Sequence, residues 1–245
     1  MSSKNISFVL VVALVLISVS SFVLVAQANH SWGGYHWARK QNPFTLKLGD
    51  NVSSSWDSYL STTSGDWSLS SVLDTNVVAG IGGKNCRASA GRVEVCNRKY
   101  GNNGWLGIAQ VWVNSAGHIT QGVVKMNDTY FNTTTYNTPA WKNLVMCQEV
   151  GHTLGLDHQD EIFGNPNLGT CMDYTNSPEA NQHPNTHDYE ELEAIYAHLD
   201  SSTTLNSSTV QNSNGADVDL DDPGTWGKAL RKDSKGNNSL FGKNL

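Results

Sequence analysis

The order of elements along this 245-residue chain predicts an α+β fold. Short segments with alternating or continuous apolar residues fill the stretch between residues 44 and 126. Two stretches with apolar residues at helical spacing follow residue 138. Hydrophobic residues make up 38% of the chain and aromatics 9%, enough for one good-sized core. The formal charge of −6 is mild and carries neither the basic footprint of a nucleic-acid binder nor a polybasic membrane-surface patch.

Residues 1–28 read as a secretion signal. Lys4 gives a small positive start, residues 6–25 are apolar with scattered serines, and Ala26-Gln27-Ala28 is an A-x-A cleavage pattern. The mature chain then begins at Asn29. An uncleaved anchor is the competing reading, because the stretch approaches the ~20 residues that span a bilayer. Residues 29–42 form an aromatic, Gly-containing arm with Trp32 and Trp37.

Five strands are expected, at 44–48, 72–81, 92–96, 106–113 and 119–126. A short helix over 51–60 presents Val52, Trp56, Tyr59 and Leu60 on one face. A Thr- and Asn-rich loop runs to 137. The next helix starts at Thr138-Pro139, where Thr is a good N-cap and Pro suits the first turn. Gly155 ends it. A long loop over 157–185 precedes a last helix over 187–199, with Tyr189, Leu192, Ile195, Tyr196 and Leu199 as its core stripe. The composition shifts at Ser201, so 29–200 is read as the domain and 201–245 as a Ser- and Asn-rich, poorly ordered tail. Its acidic patch (Asp217, Asp219, Asp221, Asp222) is a weak calcium candidate, since it lacks the Gly and Glu placement of an EF-hand.

Four cysteines in an exported chain suggest two disulfides, with three pairings open. Cys86 and Cys96 bracket a Gly-rich segment, which leaves Cys147 for Cys171. A zinc thiolate at Cys147 is the alternative, although its neighbour Gln148 lies about 100° away around the helix.

Spacing implies chemistry most directly in the run 148–158. Glu149, His152, Gly155 and His158 fall at offsets that composition alone would produce about once in a thousand trials. Residues 148 and 152 share a helix face, Glu149 lies beside them, and a turn at Gly155 returns His158 toward the same point. Hydrolysis by a zinc enzyme needs such a set: three protein ligands, an open position for water, and a carboxylate base. The run resembles the metzincin zinc endopeptidases, including the matrixins, whose pattern is H-E-x-x-H-x-x-G-x-x-H. Cys171-Met172-Asp173-Tyr174 extends the likeness to the methionine-containing turn of that family. The resemblance covers about residues 105–200. It implies a twisted, mostly parallel or mixed sheet of about five strands with an active-site helix behind it. It also implies a secreted monomer that binds Zn2+ and cleaves protein or peptide substrates, with no stable membrane association after signal cleavage. Glu149 would be general base, His152 and His158 metal ligands, Met172 a support, and Tyr174 a stabiliser of the tetrahedral intermediate.

One position departs from the pattern: Gln148 stands where the family has its first histidine. A neutral amide oxygen is a weaker zinc donor than imidazole. Three readings stay open. Gln148 is an unusual third ligand; His183, His187 or Asp157 substitutes; or the chain is a catalytically inactive, secreted protein-binding domain of the same fold. His30, His36 and His118 are isolated in the sequence and read as ordinary histidines. N-x-S/T sequences occur at Asn51, Asn127, Asn132, Asn206 and Asn237.

Overall fold

A computed structural model describes residues 30–205 in full and the backbone of 229–232 and 238–244. The signal-like segment 1–28 and the acidic patch at 217–222 lie outside the described residues. The strands are β1 (His36–Trp37), β2 (Phe44–Asn51), β3 (Leu73–Ala79), β4 (Arg92–Arg98), β5 (Gly107–Val113), β6 (His118–Asn127), β7 (Ala229–Lys232) and β8 (Asn238–Asn244). They form one mixed sheet in the order β3-β2-β4-β6-β5-β8-β7, with β1 paired to β6 off this path. The pairs β2–β3, β2–β4, β4–β6 and β1–β6 are parallel, and β5 runs antiparallel to β6.

The five expected strands are β2 to β6. In β2, Phe44, Leu46 and Leu48 point inward while Thr45 and Lys47 face solvent, the alternation of a half-buried strand. In β5, and over residues 93–96 at the centre of β4, nearly every residue is buried, as in strands covered on both faces.

Among the described residues four α-helices accompany the sheet: α1 (Asp57–Trp67), α2 (Asp128–Phe131), α3 (Pro139–Thr153) and α4 (Thr186–Ile195). The first lies later than the expected 51–60. Asn51 stays with the sheet, donating its amide to the buried Glu94 carboxylate at 2.6 Å. The buried stripe of α1 runs through Leu60, Ser64 and Trp67. Ser64 bonds Thr75 Oγ1 at 2.7 Å, so a hydroxyl pair fills an inward position that an apolar pattern misses. The unforeseen α2 is capped by Asn127, which accepts from Thr129 N and donates to Gly101 O and Trp105 O. That side chain is fully buried, which removes Asn127 from the glycosylation candidates. The last helix ends at Ile195, short of 199, and Leu199 is exposed.

The helix that carries the motif starts as expected. Thr138 accepts from Trp141 N, Pro139 occupies the first turn, and every residue from Leu144 to Thr153 is buried. Two disulfides form, Cys86–Cys96 and Cys147–Cys171, so Cys147 is no thiolate ligand. The aromatic arm packs against the end of α3: Trp37 donates its indole N–H to Thr153 O at 2.8 Å, and Trp32 N bonds Gly155 O at 2.7 Å.

Two segments of the expected tail take strand form: β8 pairs antiparallel with β5, and β7 with β8. The physical reason lies in β5, whose outer edge presents unpaired N–H and C=O groups that any extended segment can satisfy. Among the described residues no helix is long and apolar enough to cross a membrane.

Candidate metal centre and its surroundings

Gly155 makes the geometry of the site possible. Its φ is +104°, and a Cβ there would lie 2.2 Å from Tyr35 O. Past this turn the chain doubles back, so that His158 meets His152. Both rings are buried. His152 Nδ1 lies 2.9 Å from Leu156 O and His158 Nδ1 lies 3.0 Å from Glu161 Oε1. A carbonyl and a carboxylate only accept, so each Nδ1 carries the hydrogen and each neutral ring presents a lone pair at Nε2. Those two Nε2 atoms face one another at 3.0 Å, with the rings at 88°. A proton or a cation between them is shared by both, and paired imidazoles with anchored Nδ1–H groups are a usual form of zinc ligand.

Gln148, one helical turn before His152, is fully buried. Its Nε2 donates to Cys171 O at 2.8 Å, and its Oε1 has no hydrogen-bond partner. The disulfide beside it therefore does more than staple two segments. It fixes the carbonyl that orients the amide and leaves a buried acceptor oxygen on the helix face shared with His152.

Glu149 is also fully buried, against β5. A Cβ at Gly107 would lie 2.7 Å from Glu149 Cγ and 2.8 Å from its Oε1, so only glycine lets the strand pass this close. Met172 lies under α3, its sulfur 2.7 Å from where a Cβ on Gly151 would be. Tyr174 is 6% exposed; its ring lies 4.3 Å from that of His158 and stacks on Phe163 at 4.7 Å. Burial, and then the negative charges of Glu161, Glu149 and Asp157, push its hydroxyl well above the ordinary phenol range. Tyr174 therefore remains a neutral hydrogen-bond donor.

The alternative third donors lie elsewhere. His183 is bonded through Nδ1 to Asp66 at 2.7 Å, and its ring is half exposed. His187 pairs loosely with Glu190 and lies against His30. Asp157 approaches His158 on the Nδ1 side, at 3.7 Å, away from the Nε2 pair.

Sequence reasoning missed Glu161, although its place three residues after His158 was a usable signal in a turn. It also treated His30, His36 and His118 as isolated, and the structure corrects this. His30 is buried between Asp157 O at 3.0 Å and Asp188 at 3.6 Å. His36 and His118 come together, with ring centroids 5.0 Å apart.

No family model matches the chain, and no curated protein matches it in sequence. Two solved structures of myroilysin are similar at 10% identity. In one, the match covers 65% of this chain and 82% of the other with a TM-score of 0.41; in the second, 73% and 98% with a TM-score of 0.39.

Proposed function

We propose that the protein is a secreted zinc-dependent endopeptidase. The observation that carries this reading is the pair of Nε2 atoms held 3.0 Å apart by anchored Nδ1–H groups, beside a buried glutamate. The unpartnered Oε1 of Gln148 supplies the third donor. A zinc ion held by these three would act as a Lewis acid toward water and toward a scissile carbonyl. Glu149 takes a proton from the attacking water and passes it to the leaving amine. Tyr174 donates a hydrogen bond to the oxygen that gains negative charge. The signal-like residues 1–28 and two disulfides support export.

A second reading has its own observation. The donor at position 148 is a neutral amide, which favours a catalytically silent protein-binding domain on the same fold. Metal analysis with a casein cleavage assay separates the two. The enzyme reading expects wild type to cleave casein and His152→Ala to lose one equivalent of zinc together with cleavage. Wild-type protein that cleaves nothing and matches His152→Ala in zinc content would establish the silent domain instead.

A further inference from the structure

The histidines that look isolated in the sequence converge on one carboxylate. Asp200 Oδ1 lies 3.6 Å from His36 Nε2, 3.2 Å from His118 Nε2 and 3.6 Å from His198 Nε2. His36 Nε2 and His198 Nε2 are 3.2 Å apart. We propose that His36, His198 and Asp200 form a second metal site for a zinc-class divalent ion, with His118 resting against the same carboxylate.

The spacing fits that class. A tetrahedral ion with bonds of about 2.0–2.1 Å holds its ligand atoms about 3.3 Å apart. The three separations among His36 Nε2, His198 Nε2 and Asp200 Oδ1, 3.2–3.6 Å, bracket that value. Two imidazoles and one carboxylate suit zinc, whereas calcium takes six to eight oxygens. The outer contacts aim the donors. His36 Nδ1 lies 3.0 Å from Gly34 O, which puts its hydrogen on Nδ1 and its lone pair on Nε2. The other oxygen of Asp200, Oδ2, is held by Arg39 Nη1 at 2.9 Å and Arg39 N at 3.2 Å, so Oδ1 faces the rings. Arg39 also donates to the carbonyls of Tyr196 and His198, which fixes the segment carrying two of the ligands.

Three protein donors leave a fourth position for water. The ligands come from β1 and the stretch after α4, and an ion would tie the two together. The tie reaches α3 through Tyr196, whose ring lies 6.2 Å from that of His36 and whose hydroxyl donates to Leu154 O at 2.8 Å.

The proposal is independent of the endopeptidase reading, and the test keeps them apart. Full-length His152→Ala/His158→Ala protein, with the first cluster silenced, is stripped of metal and titrated with Co2+. We expect one equivalent to bind with the visible absorption of a tetrahedral centre, and zinc to raise the melting temperature. Adding His198→Ala or Asp200→Asn should abolish both signals. His198 is half exposed, so its alanine variant folds, and circular dichroism verifies this. No Co2+ bound by the double variant, or binding unchanged by His198→Ala, would overturn the site.

Discussion

Two histidine clusters in this molecule are built with the same device. In both, a ring nitrogen is tied to an acceptor so that Nε2 points inward: His152 and His158 on Leu156 O and Glu161, His36 on Gly34 O. The α3 cluster brings together two imidazoles, with a neutral amide one helical turn before His152 and a buried carboxylate and a phenol nearby. The cluster around Asp200 includes a charged carboxylate, with His36 and His198 3.2 Å apart and His118 against the same oxygen. The two clusters differ in the charge of their donors and in what lies beside them.

The comparison breaks most visibly at Glu149. Glu149→Gln is expected to lower cleavage by roughly 10³-fold or more, within the range for losing a general acid–base, while zinc content stays near wild type. Turnover above a few per cent would remove Glu149 from that role. Tyr174→Phe should cost roughly 10²-fold in kcat with little change in KM, as for the loss of one donor to a developing oxyanion. An effect confined to KM would make the ring a packing group instead. Glu161→Gln should weaken zinc binding at the α3 cluster by about 10–100-fold, the usual cost of removing a carboxylate behind a ligating histidine. Equilibrium dialysis against a chelator reads this out, and unchanged affinity would mean that Glu161 does not anchor His158. Gln148→His should tighten zinc at the same cluster by about tenfold, or 1.4 kcal/mol, with Co2+ binding at Asp200 unaltered. If affinity does not move, position 148 is not a ligand.

The same contrast explains what could be read in the sequence. The residues at 148, 149, 152, 155 and 158 lie in one short run, and helix geometry converts their spacing into a shared face. Cysteine pairing was half legible: local proximity suggested Cys86–Cys96, and the other bond followed by elimination. No local spacing relates residues 36 and 118 to each other or to 198 and 200. His36 meets His118 because β1 pairs with β6 in that register, and Arg39 holds Asp200 beside them. The displaced α1 failed for a different reason, since its inward positions include Ser64 and Thr63, which an apolar periodicity does not count.

The last described strand alters how β5 must be regarded. β8 runs antiparallel along β5, with Asn244 opposite Ile108, next to the glycine that packs on Glu149. Each backbone N–H and C=O on that edge serves one partner at a time. An extended peptide that adds itself to β5 therefore has to displace β8, which already occupies that edge. That competition is intramolecular, so it is insensitive to dilution and disappears on clipping. Removing residues 229–245 should raise kcat/KM for a peptide substrate, and the freed segment added back should inhibit in proportion to its concentration. Equal kcat/KM in the full and clipped chains would show that peptides do not use this edge.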